Sequence, residues 1–246
     1  ENHNINYGIP PSLEGHINGV DIELIKNSFQ ANYHQDISLY NFNQLDIKYN
    51  LIDYGHEEFA NNILGVALNK ITNNIKFEVQ SLNMTLGSEL EYSEFSSGGY
   101  YLSPNTNELA LSLYGFKEAE FSSFSLLSSL RLSYLSIKPD EYNYSNIDSD
   151  KVENGNFNYF SSSIGFKKII NKFEINSWLM NTMRAPRIEE LYSDGPHLAA
   201  YSYEIGQPNL ELEKIYGLES SLLYDSNPIR ASLVTFYNYS PYYHQM

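Results

Sequence analysis

Three histidines in the long connections between expected strands stand beside carboxylates: His16 with Glu14, His56 with Glu57 and Glu58, and His197 with Asp194. A neutral imidazole nitrogen and an ionised carboxylate oxygen suit Zn²⁺ and, less selectively, Cu²⁺ or Ni²⁺. His16, His56, Glu58, Asp194 and His197 are therefore the candidate metal ligands. A single loop histidine is ordinarily solvated, so the pairs gain meaning only if the fold brings them to one face. Nucleophilic chemistry has thinner support. The chain has no Gly-x-Ser-x-Gly elbow, no His-Glu-x-x-His and no phosphate-cradling glycine loop. Ser193-Asp194 near His197 is the one Ser/Asp/His grouping, and closeness on a flexible connection does not make a triad. A non-enzymatic role is expected. With no cysteine, thiolate sites and disulfides are excluded.

The elements that must position these residues are strands. Leu45-Asp46-Ile47-Lys48-Tyr49-Asn50-Leu51 alternates apolar and polar without a break, and Leu109, Leu111 and Leu113 recur at every second position. The same period runs through Leu126–Tyr134, through Phe173, Ile175, Ser177 and Leu179, and through Tyr216–Tyr224. A period of two makes strands with one apolar and one polar face. Ten segments qualify: 20–35, 43–55, 73–81, 85–94, 107–117, 122–136, 157–169, 172–182, 211–225 and 228–240, with residues 1–7 as the tail of an eleventh. Between them, short connections alternate with long ones, provided that 61–71 is read as loop within a long 56–72 connection. That parity fits a membrane-inserted meander with short turns on one side and long loops on the other. A large soluble β-sandwich, whose turns follow Greek-key crossings, is the competing reading.

Composition narrows the classes further. There are 15 Lys+Arg against 30 Asp+Glu, a formal charge of −15, so no basic footprint exists for nucleic acid. No apolar run reaches the 18 or so residues of a helical membrane span. The sequence holds 22 Tyr and 13 Phe yet only 18% charged residues. One face of the strands carries Asp46, Lys48, Asn50, Glu89, Glu91 and Arg131, which suits a wet lumen. The other carries Leu, Ile, Phe and Tyr, with Tyr crowding strand ends as an interfacial girdle would. An acidic mouth would concentrate arriving cations.

Several motifs carry a resemblance. Arg184-Ala185-Pro186, Glu189-Glu190-Leu191-Tyr192, Gly195-Pro196-His197, Tyr203-Glu204-Ile205-Gly206, Asn209-Leu210 and Glu213 follow one another in order. So do Tyr7-Gly8-Ile9-Pro10, Gly15-His16 and Gly19–Leu24, then Asp53-Tyr54-Gly55-His56-Glu57-Glu58. Together, from about residue 7 to 240, they resemble the TonB-dependent outer-membrane receptors, and within them the zinc-uptake branch. The resemblance implies an all-β, antiparallel up-and-down transmembrane β-barrel. Residues 1–246 would be a fragment of that barrel, since such receptors have about 22 strands, with the plug domain and C-terminal strands absent. It further implies a Gram-negative outer membrane, with lipid, the receptor's own plug and the TonB–ExbB–ExbD complex as partners. The transported ligand would be a metal ion or small metal complex; zinc is then cargo and no resident cofactor is implied. Siderophore, haem or cobalamin uptake, or a passive porin-like channel, are the alternatives. Arg184, Arg187, Glu189 and Glu190 are expected to form a wall ion-pair cluster that anchors the long connection. One departure stands out: a glutamate pair often found after the fourth strand is missing, for 95–104 holds no carboxylate.

Overall fold

The computed structural model describes residues 1–11, 17–100, 103–140, 152–199 and 202–244. Its body is one antiparallel sheet of eleven strands, each paired with its neighbours in chain order. They are β1 (Asn2–Ile9), β2 (Val20–Leu39), β3 (Phe42–Ala60), β4 (Ile63–Gln80), β5 (Met84–Gly99), β6 (Thr106–Glu120), β7 (Ser125–Pro139), β8 (Gly155–Ile170), β9 (Phe173–Arg184), β12 (Glu213–Ser226) and β13 (Ile229–Tyr242). Between β9 and β12 lie a five-residue helix, α1 (Ile188–Tyr192), and a separate hairpin, β10 (Asp194–His197) with β11 (Ser202–Ile205). The expected all-β meander is thus formed. The tail expected at residues 1–7 is a full strand, paired with β2 from Asn2↔Asn27 to Ile9↔Val20.

One expectation about the connections fails. Residues 56–72 are not a long loop. β3 runs on to Ala60, β4 begins at Ile63, and only Asn61 and Asn62 join them. Both asparagines have positive φ, 54° and 61°, the requirement of a type I′ hairpin turn, which Asn tolerates. His56 and Glu58 are therefore strand residues. The asymmetry of the ends survives in weaker form. One end has only tight turns of two to four residues, at 40–41, 81–83, 121–124, 171–172 and 227–228. The other has every long connection, and the Asn61–Asn62 turn is its exception.

Strand length explains how the site is raised. β2, β3 and β4 have 20, 19 and 18 residues, whereas about 9–11 tilted residues cross a hydrocarbon layer. On β3 the outward face reads Leu45, Ile47, Tyr49, Leu51, then turns polar at Asp53 and Glu57. Phe29, Phe77, Leu90, Leu111, Leu132, Ile164, Leu179 and Leu218 extend this belt, and all are exposed. Near its upper edge three tyrosines donate to asparagines on the next strand: Tyr49 to Asn73 at 2.8 Å, Tyr92 to Asn107 at 3.2 Å, and Tyr134 to Asn156 at 2.9 Å. At the tight-turn end Phe124 stacks on Phe121 and Phe166, with centroids 4.7 and 5.5 Å away. An apolar belt between two aromatic rims is the pattern of a lipid-facing barrel wall.

The opposite face is polar and cross-linked. Arg131 binds Glu89 at 2.7 Å, Lys70 binds Glu108 at 2.8 Å, and Ser112 meets Ser133 at 3.1 Å. Apolar burial concentrates at the long-connection end. There Ile188, Leu191 and Tyr192 of the α1 segment pack with Phe95, Ile137 and Val152, flanked by Leu68, Leu135 and Phe157. The β9–β12 connection therefore crosses the inner face of the sheet. Burying Ile188 and Leu191 supplies roughly 1.5–3 kcal/mol each. The Tyr192 hydroxyl donates to the Glu153 carbonyl at 2.7 Å, and burial, then the Glu153 charge, pushes its pKa up to about 12.

Candidate functional site

Period two places Tyr54, His56 and Glu58 on the inner face of β3, above the apolar belt, and turns Glu57 outward. Glu58 is wholly buried. Its neighbours across the sheet are Ile22 on β2 and Val66 on β4, both buried as well. A carboxylate in such a place must be compensated. His56 Nε2 lies 2.9 Å from Glu58 Oε1, and His197 Nε2 lies 3.3 Å from the same oxygen. The Ala199 amide donates to Glu58 Oε2 at 3.0 Å. His56 Nδ1 is more loosely placed, 3.5 Å from the Tyr54 hydroxyl.

His197 and Ala199 arrive on the β10–β11 hairpin. The hairpin reaches β3 because Gly65 sits at an irregularity opposite Glu58 and Phe59, and a Cβ there would lie 2.0 Å from Leu198 Cδ1. Leu198 occupies the room that glycine leaves. On its other ring nitrogen, His197 Nδ1 is 2.7 Å from Glu204 Oε1 of β11. Burial raises the Glu58 pKa, but the bonds from His197, His56 and the Ala199 amide, with the His197 charge, outweigh it and hold the carboxyl at about 2. His197 moves the other way. The Glu58 bond raises it, burial opposes, and Glu204 adds to the rise, giving about 9. The cluster is a charged His197 between two carboxylates, with His56 on the shared oxygen.

Of the five candidate ligands, the structure joins His56, Glu58 and His197. Asp194 stands apart, its Oδ1 accepting the Tyr203 hydroxyl at 2.9 Å. His16, with Glu14, lies outside the described residues. Glu204 was not anticipated. Among the described residues no group of three or more His, Asp and Glu is already arranged to hold a metal ion; the cluster is closed on itself by hydrogen bonds.

A second charged group anchors the connection, as expected for the Arg184 motif. Arg184 holds Glu190 through both guanidinium nitrogens, each bond 2.8 Å, and Glu213 at 2.8 Å. The Arg187 amide also donates to Glu190, closing the first turn of α1 in the manner of a capping box. Arg187 itself is exposed, and Glu189 does not join the cluster's bonds. His244 is buried against the same carboxylates, its Nδ1 3.5 Å from Glu190.

The sheet, its aromatic-rimmed belt and this inward strap agree with a family match: the model described as TonB dependent receptor-like, beta-barrel, covers residues 3–240. The chain belongs to the TonB-dependent receptor β-barrel family. The receptor chain also resembles solved structures. The FrpB iron transporter from Neisseria meningitidis (F3-3 variant) aligns with a TM-score of 0.67 at 12% identity, over 96% of this chain and 41% of that one. The copper transporter OprC gives 0.69 at 13%, over 96% and 44%. A Serratia marcescens hemophore receptor HasR, bound to HasA and heme, gives 0.61 at 12%, over 89% and 39%. The receptor chain thus spans less than half the length of these structures, and at such identity the likeness concerns the fold. No curated protein sequence matches it.

Proposed function

We propose that this chain forms barrel wall in an outer-membrane receptor for TonB-dependent active uptake of a scarce metal, zinc first, delivered as the ion or a small complex. The observation that carries the reading is the convergence of two imidazole Nε2 atoms, 2.9 and 3.3 Å away, on one buried oxygen of Glu58. Zn–N and Zn–O bonds of about 2.0–2.2 Å in a tetrahedron put ligand atoms roughly 3.3 Å apart. Small rotations of the two rings would exchange hydrogen bonds to Glu58 for bonds to a metal, with loss of a proton from His197. The site lies where the long connections gather, and the formal charge of −15 attracts cations toward it. In the whole receptor a plug would close the lumen and the TonB–ExbB–ExbD complex would drive its displacement. Imidazole and carboxylate also suit Cu²⁺, and one structural relative is a copper transporter, so copper is the second reading.

Titration calorimetry of the full-length protein with Zn²⁺ and Cu²⁺ tests this. His56→Ala, Glu58→Gln and His197→Ala should each weaken binding of the preferred metal by tenfold or more. Unchanged affinity in both histidine variants would remove this site.

A further inference from the structure

We propose that Glu204 is the positioning residue of the capture site, holding the His197 ring by Nδ1 so that Nε2 faces the point shared by Glu58 and His56. This rests on the metal-capture reading above. The contact at 2.7 Å is shorter than the 2.9 and 3.3 Å contacts to Glu58 and within the range of charge-assisted bonds. Hairpin register makes it. His197 pairs with Ser202 and Gly195 with Glu204, so His197 and Glu204 are diagonal neighbours on one face. The Glu204 side chain is only 17% exposed, which strengthens its hold on the ring. An imidazole can present either nitrogen after a ring flip, and a carboxylate on one nitrogen decides which remains for a metal. Among the described residues His56 has no comparable orienting partner, its Nδ1 meeting only the Tyr54 hydroxyl at 3.5 Å. Asp194, on the same hairpin, is spent on Tyr203 instead. His197 is therefore the rigid ligand and His56 the adaptable one.

The test compares Glu204→Ala and Glu204→Gln with Tyr203→Phe, which alters the same hairpin without touching His197. Imidazole ¹⁵N NMR of the metal-free, full-length protein should show a protonated, immobilised His197 Nδ1 in the wild type and in Tyr203→Phe. That signature should vanish in Glu204→Ala. Zinc affinity should fall about 10–100-fold in Glu204→Ala, fall less in Glu204→Gln, whose amide oxygen still accepts the Nδ1 proton, and stay within twofold in Tyr203→Phe. An unchanged His197 signature in Glu204→Ala overturns the proposal, as does an equal affinity loss in Tyr203→Phe, which would mean hairpin integrity and not ring orientation. Wild type that binds neither Zn²⁺ nor Cu²⁺ removes the capture reading and the role with it. Wild type that binds metal as tightly as Glu204→Ala removes Glu204 alone.

Discussion

Glu58 and Glu190 are buried carboxylates in the same connection's footprint, yet their partners give them different duties. Glu58 is held by rings that a metal could take over. Glu190 is held by a guanidinium fork and a backbone amide, which no cation would displace. Arg184→Ala would strand Glu190 and Glu213, both under 9% exposed. Breaking a buried pair costs about 3–5 kcal/mol, and the one-third exposure of Arg184 argues for roughly 2–3. Limited proteolysis should show faster cleavage within 185–212. Burial raises the Glu190 pKa, but Arg184 and the Arg187 amide bring it down from 4.5 to about 2. Its contribution is thus complete above about pH 4.5 and lost as pH falls toward 2, so the protection that this anchor gives the residues around α1 should fade in that acid window. At this scale the sequence was legible in types but not in partners. Asp194 looked like the companion of His197 because it is three residues away, but three residues along a strand is the opposite face. Glu204 becomes visible only once 194–205 is paired as a hairpin, because the register, not the spacing, brings it beside His197.

The β10–β11 hairpin is tied at two places that differ in chemistry. One is the clamp on Glu58. With His197 raised from 6.5 to about 9 and Glu58 lowered from 4.5 to about 2, the clamp is fully present between about pH 4.5 and 6.5. It weakens as pH rises through 9 or falls through 2, so amide exchange of Ala199 should stay slow across that window. The other tie is packing against α1. Gly206 donates its amide to Ser193 O at 2.6 Å, and a Cβ there would lie 2.5 Å from Leu191 C and Tyr192 N. Those are backbone atoms and cannot turn aside. Gly206→Ala should therefore lift the hairpin from α1 while leaving the β-sheet signal in circular dichroism intact, and under the proposed metal reading it should lower zinc affinity at least tenfold. The strands themselves were readable from period two, and the tight-turn end followed from them. The β3–β4 connection was not, because the irregularity at Gly65 interrupts alternation just where Asn61 and Asn62 supply positive φ. Read as strand, residues 54–60 would have shown why His56 and Glu58, and not Glu57, share a face.

On the scale of the whole sheet, the two faces impose opposite rules on adjacent residues. Leu179 points outward in the belt, 62% exposed and flanked by Ile164 and Leu218. Met180 points inward over Gly217. An arginine on a lipid face near the bilayer midplane costs about 2–4 kcal/mol, whereas lumen positions accept charge. Leu179→Arg should therefore lower the urea midpoint of the full-length protein folded in phosphatidylcholine vesicles, and Met180→Lys should leave it nearly unchanged. A soluble sandwich would pack this apolar belt as its core and would show the same ranking in detergent-free buffer, with no vesicle needed for folding. Equal tolerance of both substitutions would mean that the belt does not face lipid. Strand length then links this face to the site. The belt on β3 ends near Leu51, and Glu58 lies seven residues further along, about 23 Å at 3.3 Å per residue before tilt. Under the proposed metal-capture reading, a site at that height would meet cargo before the lumen does.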